Sequence, residues 1–264
     1  NRVICSKVSL KSGRVGLGYL LNEHGMLKAE ATVANLSSER IWYGSAAAAE
    51  YHDFDWLSLN IGSGEDVHIK SLTNTHTILV LAGPKSREVM SKVSRADWSA
   101  RGFPWLSVRE CFIGIAPATV MAVSFSGELA YEIHVPNNQL YAAYLALKDA
   151  ATEVHIFGAR AIEAMRMEKG YLHWKADLIT EFDPFETGLH RFVKTDKDVS
   201  GKAPLLARKS PRRVLKTLQI NATHASPQPG DSIWEGGKVV GTITSADWGH
   251  RTGLNLAYAF LEND

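Results

Sequence analysis

Alternation of apolar and polar positions, not long apolar runs, organises this chain. Residues 129–135 set Leu129, Tyr131, Ile133 and Val135 on one face and Ala130, Glu132 and His134 on the other, the period of a half-buried strand. Ser126-Gly127-Glu128 ahead of it has turn chemistry. The period recurs at 27–33, where Leu27, Ala29, Ala31 and Val33 alternate with Lys28, Glu30 and Thr32. With the apolar run 16–21 and the Asn22-Glu23-His24-Gly25 turn before it, this predicts a hairpin with Glu30 on the polar face. Further strands are expected at 39–44, 67–72, 77–82, 111–115 and 119–125, with an irregular aromatic stretch at 97–109.

Helical spacing fills the gaps. Ser45 is placed to cap an Ala-rich helix running to about Leu57, and Gly83-Pro84 opens a helix that turns Val89, Met90 and Val93 inward. Asn137 or Asn138 would cap a helix with Leu140, Tyr144, Leu147 and Ala151 on one face. A helix over 158–169 is expected to bury Ala159, Ile162 and Met165 and to carry Arg160, Glu163 and Arg166 as a surface charge ladder. Beyond Pro204 the pattern changes to short strands at 215–220, 233–234, 239–243 and 256–261, with Gly236-Gly237 as a hairpin turn and Trp248 to Arg251 as a loop. Strands alternating with helices give an α+β fold, divided at residues 1–204 and 205–264, the second part a small β-barrel-like domain.

Composition removes several classes of function. The 29 basic and 28 acidic residues of the 264 leave a net charge of +1, which gives no field for nucleic acid or an anionic membrane. The basic run RKSPRR at 208–213 reads as an exposed linker. Two cysteines, Cys5 and Cys111, have neither CxxC nor metal-ligand spacing, and His52, Asp53 and Asp55 read as surface, so no metal site is expected. Apolar runs stay far below the roughly 20 residues of a membrane span. The sequence reads as soluble and intracellular, in cytoplasm or mitochondrial matrix. Gly13, Gly16 and Gly18 have the wrong spacing for a dinucleotide loop.

Glu132, fixed on one strand face, could accept two parallel hydrogen bonds from a planar N–H/NH2 edge of the kind found on pterins and purines; spacing alone favours a solvated face. The runs GELAYE with HVP at 127–136, RAIEAMRMEKGY at 160–171, and RMEKGYLHWKADL followed by DPFETGL resemble the folate-binding aminomethyltransferase family, that of the glycine cleavage T protein. Within it they resemble most the tetrahydrofolate-binding half of dimethylglycine and sarcosine dehydrogenases. The resemblance covers nearly the whole chain.

The resemblance implies a T-protein-like multi-domain fold and a tetrahydrofolate site. Glu30 falls where the family carries an acid, usually Asp, beside the reactive nitrogens of tetrahydrofolate. It is the catalytic candidate. Glu132 would hold the pterin, Trp42 would pack on it, and Arg160 and Trp174 are further contact candidates; Arg160 stands two residues before Ile162, where T proteins place a folate-binding Arg. The implied reaction accepts a methylene, as an iminium or formaldehyde equivalent, from an N-methylglycine derivative. A flavin dehydrogenase domain, in cis or in trans, would generate that iminium, and FAD would sit only there. Because the resemblance begins and stops inside the family's register, a piece of a longer protein is expected. The alternatives are a true T protein, which needs a lipoyl carrier, and a non-catalytic folate-binding or structural module.

Overall fold

Three antiparallel sheets carry the chain in the computed structural model, which describes residues 2–194, 196–208, 210–222 and 224–263. Lys209 of the basic run lies outside the described residues. The first sheet joins β1 (Arg14–Leu21), β2 (Leu27–Ser37) and β3 (Arg40–Ser45) in that order. The chain then forms α1 (Glu50–Leu59), β4 (His76–Ala82), α2 (Ser86–Val93), β5 (Val108–Ile113), β6 (Ala116–Met121), β7 (Ala130–Pro136) and α3 (Leu140–Ala150). Its four strands make a second sheet, ordered β4-β7-β6-β5. After α4 (Ala159–Lys169) and α5 (Lys202–Ala207) come β8 (Arg213–Gln219), β9 (Ser232–Glu235), β10 (Lys238–Gly249) and β11 (Leu254–Glu262), a third sheet ordered β8-β11-β10-β9.

The alternation at 129–135 works as expected. Tyr131, Ile133 and Val135 are fully buried and pack with Met90, Trp98, Phe103 and Ala143 under α2 and α3. Glu132 and His134 are thereby turned to the opposite face of the second sheet. In β2 the same rule buries Leu27, Ala29, Ala31 and Val33, and β1 supplies Leu20 to that core. Gly236 and Gly237 both take positive φ, +56° and +81°. Two such residues are what a tight hairpin between β9 and β10 requires.

Elsewhere tertiary contacts override local pattern. Residues 67–72 form no strand, and Val67 is half exposed; alternation without a pairing partner does not hold a strand. Ser45 closes β3, and α1 starts only at Glu50 after a single 3-10 turn, Ala47–Ala49. Asn137 does not cap α3: its side chain accepts from Thr77 Oγ1 and donates to the Asn74 carbonyl. Asp53 is buried, not on the surface, and pairs with Tyr43 and His52. β10 runs through Trp248 to Gly249, which the sequence assigned to a loop.

The largest departure lies on α4. Ala159 is exposed, whereas Arg166, expected on the surface ladder, is 1% exposed. Its guanidinium contacts Asp177 Oδ2 at 2.6 Å, Glu163 Oε2 at 2.6 Å and Ser245 Oγ at 2.7 Å. Asp177 Oδ1 in turn accepts from Thr244 and Ser245. Two consecutive strand residues can reach one carboxylate because the β10–β11 register shifts between Ile243 and Ser245, a bulge of the kind that re-aims side chains. Tyr258 Oη donates to the Met167 carbonyl at 2.8 Å. These bonds and the Met167, Leu256 and Tyr258 cluster fasten the third sheet to α4.

Candidate functional site

The inner faces of the first two sheets meet along one edge, and away from it apolar side chains of both faces stay exposed along a cleft. At the closed edge Arg14 bridges to Ser107, and Val15, Ala34, Val108 and Met121 form a small core with Trp42, Leu106 and Val123 packed on it. Strand pairing fixes what else lines these faces. On the first sheet Val15 pairs with Ala34 and Ala34 with Trp42, while Tyr19 pairs with Glu30, so all five share one side. On the second, one row reads Met121, Glu132, Val80 and the next Thr119, His134, Ile78.

The open part of this cleft has an apolar floor. Ile78 is 50% and Val80 43% exposed, and Leu17 on the opposing sheet is 37% exposed. Exposed apolar side chains flanking a few fixed polar groups mark a ligand surface. Three of the expected residues stand here. Glu132 keeps 32% of its side chain exposed. Trp42 reaches across from β3 to the second sheet, edge-on to His134 at 5.4 Å and to His76 at 5.8 Å between ring centroids.

Glu30 is the third. Tyr19 Oη donates to its Oε1 at 2.9 Å, and burial pushes the Glu30 carboxyl up to about 7, the hydrogen bond opposing that rise. Glu30 and Ala34, the strand partner of Trp42, are four residues apart, about 13 Å along β2. An extended ligand could therefore touch Trp42 and Glu132 at one end and Glu30 at the other.

The other two candidates lie elsewhere. Arg160 is exposed near the start of α4, with no hydrogen bond or ion pair to a described residue. Trp174 is 6% exposed, packed with Cys5, Tyr19, Leu21, Leu27 and Leu178 in the core under the first sheet. Its indole N–H is buried without a partner among the described residues. Sequence reasoning missed the partners: Tyr19, whose pairing with Glu30 needs the hairpin register, and His134, which alternation had placed with Glu132 but left unassigned. Among the described residues no group of three or more His, Cys, Asp or Glu side chains converges as metal ligands. No helix of the described residues is long and apolar enough to cross a membrane.

Comparison with known proteins agrees with this architecture. The GCVT N-terminal domain model matches residues 1–197 and the glycine cleavage T-protein C-terminal barrel domain model residues 213–264. Mitochondrial dimethylglycine dehydrogenase of Rattus norvegicus is 30% identical over 265 residues, 98% of this chain and 31% of that protein. The mitochondrial pyruvate dehydrogenase phosphatase regulatory subunit of Mus musculus is 25% identical, over 99% of this chain and 31% of its own length. The chain thus spans about a third of these relatives. The crystal structure of the glycine cleavage system aminomethyltransferase T from Bartonella henselae superposes with a TM-score of 0.85 at 20% identity, over 99% of this chain and 72% of that one. With two family models spanning most of its length, the chain belongs to the folate-binding glycine cleavage T-protein (aminomethyltransferase) family.

Proposed function

We propose that the cleft between the first two sheets binds tetrahydrofolate and passes it a one-carbon unit, a methylene taken from an N-methylglycine derivative, to give 5,10-methylene-tetrahydrofolate. The observation that carries this reading is the pairing of a partly exposed carboxylate, Glu132, with an exposed apolar floor, Ile78 and Val80, opposite an aromatic wall, Trp42. A flat ring with a guanidine-like donor edge fits that set. Glu132 accepts two parallel hydrogen bonds from the edge, and Trp42 covers a ring face.

When bound, tetrahydrofolate supplies the nitrogens that accept the methylene. Glu30 sits about 13 Å further along β2, with a carboxyl poised near 7, where a general base at neutral pH works best. It takes one of the two protons that the amine nitrogens lose as two new C–N bonds form; the donor's amine, released as its own bond to the methylene carbon breaks, carries away the other. Holding an amine against a short-lived electrophile is a positioning task, and fixed geometry can supply several kcal/mol of the barrier.

The N-methylglycine origin of the methylene and a mitochondrial matrix location are suggested by the name of the rat relative, a mitochondrial dimethylglycine dehydrogenase; a flavin dehydrogenase domain as the source of the methylene, with FAD held only there, is a further part of this proposal. Arg160, exposed, is a contact for the outer part of the folate; Trp174 is buried in the cluster that also holds Tyr19 and does not reach the ligand directly. A division into a folate-binding region over 1–204 and a C-terminal domain over 205–264 goes with this reading.

The test is calorimetric titration of the chain with tetrahydrofolate. Glu132→Gln should weaken binding by about 1–3 kcal/mol, the range for losing one partner of a charge-assisted hydrogen bond. Glu30→Ala should leave binding nearly intact and abolish methylene transfer once an iminium source is supplied. Unchanged binding in Glu132→Gln would sink the assignment. A second reading, a non-catalytic module, is favoured by the match to a regulatory subunit; folate binding without transfer in the wild type would select it.

A further inference from the structure

We infer that His134 is the positioning residue of the cleft, fixing both the Glu132 carboxylate and the Trp42 ring so that together they present a preformed seat for a planar donor edge. The inference rests on the folate reading above and deepens it.

Three observations converge on this side chain. Its Nε2 lies 3.5 Å from Glu132 Oε2, at the limit of a hydrogen bond. The same atom is buried and without a hydrogen-bond partner among the described residues. Its ring meets Trp42 at 5.4 Å and an interplanar angle of 69°, the edge-to-face arrangement that a π quadrupole favours.

A buried ring nitrogen that lacks a partner is a cost unless something later satisfies it, and in the tautomer with its proton on Nε2 this atom donates. The acceptor that the ion-pair geometry puts within reach is Glu132 Oε2 at 3.5 Å, two residues along the same strand face. Contacts of this kind are often long in unliganded sites and tighten when ligand binds. A small rotation of Glu132 toward Nε2 would satisfy the imidazole through one lone pair of Oε2. The remaining lone pairs then lie in the carboxylate plane, open to the cleft and fixed in orientation. Without His134 the carboxylate could rotate freely, and the ligand would have to order it on binding.

His76 does not share this role. Its ring also touches Trp42, at 5.8 Å, but its Nδ1 is taken by Thr75 Oγ1. It braces the indole without reaching the carboxylate, since the Glu132 ion pair is made by His134.

Tetrahydrofolate affinity is the readout, measured by calorimetry on the full chain for wild type, His134→Phe, His134→Gln, Glu132→Gln and the Glu132→Gln/His134→Phe double variant. His134→Phe keeps the ring against Trp42 and removes the donor, and should raise Kd about tenfold. His134→Gln returns an N–H at nearly the same reach and should recover Kd to within about threefold of wild type. In the Glu132→Gln background the Phe substitution should add less than about twofold, because the acceptor it serves is already changed. Far-UV circular dichroism checks that each variant folds; if His134→Phe unfolds, the Gln rescue and a His134→Leu variant carry the comparison. Equal losses in Phe and Gln variants, or full additivity with Glu132→Gln, would overturn the positioning role while leaving the folate site intact. Failure of wild type to bind tetrahydrofolate would overturn both.

Discussion

Tyr19 and Glu30 face each other across the β1–β2 hairpin, the phenol donating to the carboxylate at 2.9 Å in a pocket that excludes most water. Burial, the larger influence, carries the Glu30 carboxyl from 4.5 to about 7; the hydrogen bond pulls the other way. The folded chain thus holds this proton more tightly than the unfolded chain does. Stability from it is fully present below about pH 4.5 and is lost as pH rises through 7. The rise corresponds to about 3 kcal/mol. Glu30→Gln, which stays neutral, should match wild type at pH 4 and exceed it by up to about 3 kcal/mol at pH 8 in urea unfolding. Parallel pH profiles for the two proteins would show that Glu30 ionises without penalty.

Under the proposed role of Glu30 as general base, catalysis runs in the opposite direction with pH. A general base acts in its ionised form, so methylene transfer should climb through pH 7 and level off above it. Removing the donor in Tyr19→Phe withdraws the one interaction that lowers the Glu30 carboxyl, and the inflection should move to higher pH. An inflection that stays in place or moves down would separate Tyr19 from the chemistry.

How far these features could be read from sequence depends on what each residue needs to be placed. Glu132 needed only strand period, since Tyr131, Ile133 and Val135 could not be solvated together. Glu30 needed the same rule in β2. The hairpin turn at Gly236 and Gly237 was legible because few residues other than glycine tolerate two positive φ values in succession. Arg166 was misplaced for a physical reason: helical spacing groups it with Arg160 and Glu163, and an arginine on a charged face is ordinarily exposed. What buries it is Asp177, eleven residues away in a loop, together with a bulge in β10 that no local pattern announces. Trp42 and His134 belong to different sheets, and their contact exists only after both have docked.

Arg166 and Asp177 offer a direct measure of that hidden junction. Their side chains are 1% and 0% exposed, and Asp177 also accepts from Thr244, Ser245 and the His173 amide. Taking away the cation leaves a fully buried carboxylate with hydroxyl and amide donors alone. Arg166→Met should cost about 3–5 kcal/mol, the usual loss on breaking a buried pair. Arg166→Met combined with Asp177→Asn should cost clearly less than the sum of the two single changes. Strict additivity by urea denaturation would mean that the two do not act as a pair.

Gly25 and Gly201 fix the other junction, where the β1–β2 turn meets the start of α5. Both take positive φ, +78° and +74°, and a methyl on Gly25 would sit 2.8 Å from the Gly201 carbonyl oxygen and 2.8 Å from the Leu205 amide. A methyl on Gly201 would run into the Asn22 carbonyl oxygen and the Gly25 backbone. Neither obstacle is a flexible side-chain end, so backbone must move. Gly253 is the control: its φ is +68°, but no atom of the described residues lies within 4 Å of the added carbon. Gly253→Ala should cost only the left-handed penalty, about 1–2 kcal/mol. Gly201→Ala carries that penalty and the collision, and should cost at least twice as much in thermal or urea unfolding. Because the same turn leads into β2, it should also weaken methylene transfer by shifting Glu30, where misplacement by about 1 Å costs on the order of 100-fold. Equal destabilisation by the two alanines would mean that the turn and α5 yield to each other without strain.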